Sequence, residues 1–123
     1  MIAILIIEDD KLISDLYQQA LNSEGFDPVA VAKAEEGLAE LKKRSYDVIL
    51  LDLVLPDQTG FYILEQIKAN PKISSKVIVT TNFGQKDNIE KAYALGAVDV
   101  LLKYNITATE VVEKVKKYTD QDR

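Results

Sequence analysis

The chain has 123 residues, enough for one domain with a core that needs no covalent or metal staple. It contains no cysteine and no histidine, which excludes disulfides, thiolate or imidazole metal sites, a cysteine nucleophile and imidazole base chemistry. A net charge of −5 argues against direct DNA binding. No apolar run is long enough to insert in a membrane or flanked like a signal peptide, so a cytoplasmic location is expected.

Ile2 to Ile7 is an unbroken apolar run that reads as a strand buried on both faces, and it ends on Glu8-Asp9-Asp10. From Lys11 to Asn22 the residues Leu12, Ile13, Leu16, Ala20 and Leu21 recur at helical spacing, with Asp10 as cap and Gly25 as stop. Phe26 to Ala32 alternates as a short strand, and Pro28 places it at a sheet edge. Ala34 to Arg44 is helical, with Ala34, Leu38 and Leu41 inward and Lys42-Lys43-Arg44 offsetting the dipole.

Val48 to Leu51 is a third strand, four apolar residues that deliver Asp52 to the rim; Pro56 and Gly60 mark the loop beyond it. Phe61 to Ala69 is a helix with Phe61, Leu64 and Ile67 inward, stopped before Pro71. Lys76 to Thr81 is a fourth strand and Asp87 to Leu95 a helix ended by Gly96. Val98 to Leu102 is a fifth strand leading to Lys103. Thr107 caps a last helix to Tyr118 with Glu110 as its capping-box partner and Val111, Val112 and Val115 inward. The expected organisation is one domain over 1–118 and a polar tail over 119–123.

Strand and helix alternate five times, which predicts an α/β doubly wound sheet with helices on both faces. In the flavodoxin-like order 2-1-3-4-5, strands one and three are neighbours about 4.8 Å apart, so Glu8, Asp9 and Asp52 gather at one rim. Clustered carboxylates repel, and a hard divalent cation relieves that repulsion; oxygen-only donors favour Mg²⁺ or Mn²⁺ over zinc. Asp52 is then placed to attack phosphorus, with Lys103 and a Thr hydroxyl for the phosphoryl oxygens. Each feature has a plainer reading: acids as a solvated cap, Thr as a strand former, a lone Lys as surface. Their arrival in order at four strand ends is what gives the functional reading weight.

These residues resemble the receiver domains of two-component response regulators, from Met1 to about Tyr118. The resemblance is carried by Ile4 to Asp10, Asp52 to Gly60, Val77 to Thr81, Gly96-Ala97 and Lys103. It implies that Asp52 is the phosphoacceptor, that Glu8 and Asp9 bind Mg²⁺ with Asp9 a direct ligand, and that the Val54 backbone carbonyl is another. Thr81 is implied as the switch hydroxyl and Lys103 as the phosphoryl-contacting lysine. The donor would be a sensor histidine kinase or phosphotransfer protein. The face of helix four, strand five and helix five, with Tyr93, Val100 and Tyr104, would be read by a partner protein or by a second copy in a homodimer.

The chain departs from the family at three places. Tyr104 stands where Pro is usual after the lysine, Val100 where the switch aromatic is usual, and Asn82 where a small residue is usual. Val54 and Phe83 hold the two positions that set phosphoryl lifetime in the family, and neither can orient an attacking water, so slow loss of the phosphoryl group is expected. A phosphorylation-independent interaction module is the alternative. A Mg²⁺-dependent phosphatase lacks its second acid two residues after Asp52, and a flavin protein lacks a phosphate loop after strand one, so the chain is not expected to be an enzyme on an external substrate.

Overall fold

The computed structural model describes residues 1–82 and 84–119. Five parallel strands stand in the order β2-β1-β3-β4-β5: β1 (Ala3–Ile7), β2 (Asp27–Val31), β3 (Val48–Asp52), β4 (Lys76–Thr81) and β5 (Asp99–Leu102). The helices between and after them are α1 (Lys11–Ser23), α2 (Ala34–Lys43), α3 (Gly60–Ala69), α4 (Lys86–Ala94) and α5 (Ala108–Thr119). This is the predicted doubly wound, flavodoxin-like topology. Pro28 lies in β2 at the sheet edge, where its missing N–H costs no ladder bond.

Strand alternation sorts the core into two layers. Leu5, Ile7, Ile49, Leu51, Val77 and Val79 pack against Ala34 of α2, Ile63, Leu64 and Ile67 of α3 and Ala92 of α4. Ile4, Ile6, Val48, Leu50 and Ile78 pack against Tyr17 and Leu21 of α1 and Val111, Val112 and Val115 of α5. β1 and β3 are buried along their whole length, which is why both read as uninterrupted apolar runs. Each fully buried Ile or Leu contributes about 1.5–3 kcal/mol.

Helix ends follow the expected chemistry. Asp10 accepts from the backbone N–H groups of Leu12 and Ile13, and Thr107 with Glu110 forms the capping box of α5. Gly96 follows α4 with φ +106, a left-handed turn that side chains with a Cβ resist. On α1, Ile13, Ala20 and Leu21 pack into the core, but Leu12 and Leu16 do not. Leu12 is 71% exposed and Leu16 49%, whereas Ser14, Tyr17 and Leu21 are buried. Helical geometry favours 14, 17 and 21 as one stripe, and an aliphatic count passes over Ser14 and Tyr17. On α3, Ile63 is buried with Leu64 and Ile67, while Phe61 is half-buried beneath the Lys91 ammonium. α5 runs through Thr119, one residue past the predicted boundary; 120–123 lie outside the described residues.

Asp99 of β5 fastens the far edge of the sheet. Its carboxylate accepts from Tyr118 Oη at 2.9 Å and Lys114 Nζ at 3.2 Å on α5, and from Tyr93 Oη at 3.4 Å on α4. Burial alone would raise this carboxyl, but the bonds from Tyr118 and Lys114 outweigh it and hold the group below the ordinary aspartate range. Burial and the facing carboxylate push the Tyr118 phenol up to about 12. A lowered carboxyl adds stability above its unfolded value, and that stability is lost as pH falls from roughly 4 through the folded value. Asp99→Asn is therefore expected to cost about 1 kcal/mol near neutrality, since Lys114 is part-exposed, and little near pH 3. Urea unfolding at both pH values checks this; an equal loss at both would contradict it.

Candidate functional site

The C-terminal ends of β1 and β3 meet at the rim, as their pairing from Ile4↔Val48 to Ile7↔Leu51 dictates. Glu8 follows β1 and is buried; its own N–H donates to Val31 at 3.0 Å, and Oε2 accepts from the Asp10 N–H at 3.0 Å. Asp52, the last residue of β3, is also buried. Asp9 is exposed beside them. One carboxylate oxygen from each of Glu8, Asp9 and Asp52 lies within 4.8 Å of the others, the only such cluster among the described residues.

Lys103 opens a short 3₁₀ turn (Lys103–Asn105) directly after β5 and reaches back into this cluster. Its ammonium sits 2.9 Å from Asp52 Oδ2 and also pairs with Glu8 Oε1. The Lys103 side chain is 7% exposed, so both contacts are shielded from solvent. Burial alone would depress the ammonium, but its bonds to Glu8 and Asp52 carry it above the ordinary lysine value. Burial pushes the Glu8 carboxyl up, against the pull of Lys103. Tyr17 of α1 lies beneath the cluster, its phenol raised by burial, with the charges of Lys103, Glu8 and Asp52 acting on it.

Three carboxylates against one ammonium leave a negative excess on a donor set made only of oxygen. That suits a hard divalent ion better than zinc. The backbone of the following loop is tightly drawn. Val54 N–H donates to Asp52 Oδ1 at 3.3 Å, Gly60 N–H donates to the Leu53 carbonyl at 2.8 Å, and Val54 forms an antiparallel bridge with Thr59. A Cβ on Gly60 would collide with the Asp52 carbonyl and come 2.8 Å from Leu53 Cα, so only glycine fits.

On β4, Thr80 pairs with Asp52 and Thr81 is the next and last residue; both are buried. Val100 packs against the core layer under α2, α3 and α4, and the register Val79↔Val100, Thr81↔Leu102 puts Thr81 and Val100 on that same face of the sheet. Tyr104 is 68% exposed, and a Cβ at Gly84 would come 3.1 Å from its hydroxyl, so its ring tip rests on the loop after β4. No peptide bond is cis among the described residues. Tyr93 is 46% exposed, and Asn82 is exposed at the rim. Phe83 lies outside the described residues.

The sequence reading did not find Tyr17 under the site or the role of Asp57 in the loop. Tyr17 could have been found from the stripe 14, 17, 21. Asp57 could have been sought because the residue just before α2 is Lys33, whose side chain cannot cap it.

The family model for the response regulator receiver domain matches residues 4–116. The chain belongs to that family. The receiver domain is 35% identical over 100 residues to the cell cycle transcriptional regulator CtrA of Caulobacter vibrioides, covering 81% of this chain and 43% of that protein. It thus spans less than half the length of the curated relatives it matches first. Among solved structures, a CheY-like receiver domain protein from Methanospirillum hungatei shares 31% identity at a TM-score of 0.88, over 99% of this chain and 97% of that one. The regulator TrrA of Thermotoga maritima, solved in complex with Mg²⁺-BeF, shares 27% identity at a TM-score of 0.83, over 96% of this chain and 99% of that one. No helix among the described residues of this receiver domain is long and apolar enough to cross a membrane.

Proposed function

We propose that Asp52 is the phosphoacceptor of this receiver domain. An Asp52 carboxylate oxygen forms a bond to phosphorus as the bond from phosphorus to a donor, a kinase or phosphotransfer-protein imidazole, breaks. The observation that carries this reading is the Lys103 ammonium 2.9 Å from Asp52 Oδ2 inside a buried acidic cluster. A cation already aimed at the attacking group is positioned for the phosphoryl oxygens it would carry. Asp9, Glu8, Asp52 and the Val54 carbonyl would hold Mg²⁺, or Mn²⁺, and the ion would neutralise the charge that develops on those oxygens.

Thr81 is the switch hydroxyl in this reading. A rise of about 3.3 Å per residue sets it one step beyond the level of Asp52, toward the height of a group attached to that carboxylate. Phosphorylation would draw Thr81 and Lys103 inward and bias the face of α4, β5 and α5, where Tyr93 and Tyr104 are exposed. A partner protein or a second copy of the domain would read that face, in the cytoplasm and without chemistry on an external substrate.

The test is incubation with Mg²⁺ and acetyl phosphate followed by intact mass measurement. One phosphoryl adduct is expected. Tight Mg²⁺ binding without an adduct would turn the reading to a phosphorylation-independent module, which the packed Val100 in place of a swinging aromatic favours. The adduct is expected to last many minutes to hours. Val54, 52% exposed beside the site, has no group to orient water, and Phe83 is equally apolar. A half-life of seconds for the purified phosphoprotein would refute this.

A further inference from the structure

α2 begins without a cap of its own. Its N-cap residue is Lys33, and an ammonium has no lone pair to accept from the first turn. Glu36 meets part of the need by reaching back to the N–H groups of Ala32 and Lys33, each at 3.1 Å. It does not reach the N–H groups of Ala34 and Glu35. Asp57 takes both, Oδ1 at 2.8 Å from Ala34 N and Oδ2 at 3.0 Å from Glu35 N. The bond from the Glu35 N–H is the main cause that holds the Asp57 carboxyl below its ordinary range, and the bond from Ala34 adds to it.

Asp57 belongs to another part of the chain, the tip of the loop between β3 and α3. The base of that loop is closed by the Gly60–Leu53 bond and the Val54–Thr59 bridge. With its base zipped and its tip bound to a helix end, the loop has little freedom left. Val54, whose carbonyl is assigned to the cation, sits in the bridged pair two residues from Asp52.

We infer that Asp57 is a positioning residue for the cation site: by capping α2 from outside, it holds the 53–60 loop so that the Val54 carbonyl stays beside Asp52. This rests on the proposed reading of Asp52 and its cation. Groups that orient metal ligands without touching the metal usually alter affinity when removed.

A helix cap alone would explain the two hydrogen bonds but not an effect on the cation, and the two roles separate experimentally. Lys33→Ser gives α2 a local acceptor. In the double variant Lys33→Ser/Asp57→Ala the cap is restored, the loop is untethered, and the net charge equals that of the parent because one positive and one negative charge are removed. Mg²⁺ binding is measured by titration calorimetry at about 0.5 M salt, which screens distant charge. Thermal unfolding is followed without the ion.

Asp57→Ala is expected to lower Tm by roughly 5 °C and to weaken Mg²⁺ binding about tenfold. The double variant is expected to regain Tm and keep the weakened binding; it carries the test should Asp57→Ala fold poorly. Asp57→Ala affinity within twofold of the parent, or affinity that returns together with Tm in the double variant, would overturn the inference. A parent that takes up no Mg²⁺ would overturn the reading of Asp52 as well, and is told apart because the parent itself then fails.

Discussion

Asp52→Asn is expected to abolish the phosphoryl adduct while leaving the domain folded. An amide oxygen is a far weaker nucleophile than a carboxylate, and the substitution also removes one of the three charges that would attract the cation. Folding should survive because Lys103 keeps its contact with Glu8, so the ammonium is not stranded. Removing one negative charge from a crowded acidic cluster relieves repulsion, so without Mg²⁺ the variant should match the parent's Tm or exceed it. Mg²⁺ affinity should fall by at least about tenfold with the loss of a ligand. Intact mass, Tm and calorimetry on the two proteins check the three statements. An adduct on Asp52→Asn at the parent's yield would move the nucleophile elsewhere.

The strands were readable because burial on both faces forces an apolar run, and Asp52 stood out because a carboxylate ends one. The α5 start was readable because Thr107 and Glu110 are three residues apart and satisfy each other locally. The α1 inner face was readable only in part: Ile13, Ala20 and Leu21 pack inward, whereas Leu12 and Leu16 fit an apolar stripe yet face solvent. Which stripe turns inward depends on the neighbours of α1, and here the buried Tyr17 lies under the charged cluster. The meeting of Glu8, Asp52 and Lys103 followed from strand order, but their pairing through one ammonium did not, because it depends on the turn after β5 bending Lys103 back over the sheet. Tyr104 in place of Pro leaves that turn intact and brings its hydroxyl over Gly84 instead. The Asp57 cap is a contact between distant segments, and its only local trace is the unsuitable Lys33.

The ammonium that spans Glu8 and Asp52 makes Lys103→Met the most damaging change expected for stability without Mg²⁺. Methionine keeps most of the side-chain volume and removes the charge, so the loss is electrostatic rather than a cavity. Two buried carboxylates are then left facing each other, at a cost of about 3–5 kcal/mol for breaking a buried pair from one side. The penalty has a limit because Glu8 can take up a proton. Burial already raises its carboxyl with the lysine present, and removing the lysine raises it further. A carboxyl whose folded pKa lies above its unfolded value destabilises the fold above that folded pKa, and the loss recovers as pH falls through it. The deficit of Lys103→Met should therefore be larger at about pH 8 than at about pH 5. Mg²⁺ supplies positive charge to the same oxygens, so it should restore much of the lost stability at pH 8 and stabilise the variant more than the parent, where the ion shares those oxygens with Lys103. Urea unfolding at the two pH values, with and without Mg²⁺, gives all four numbers. A deficit below about 1 kcal/mol, or one that neither acid nor Mg²⁺ relieves, would mean that the ammonium is not the counter-charge on which the acidic cluster depends.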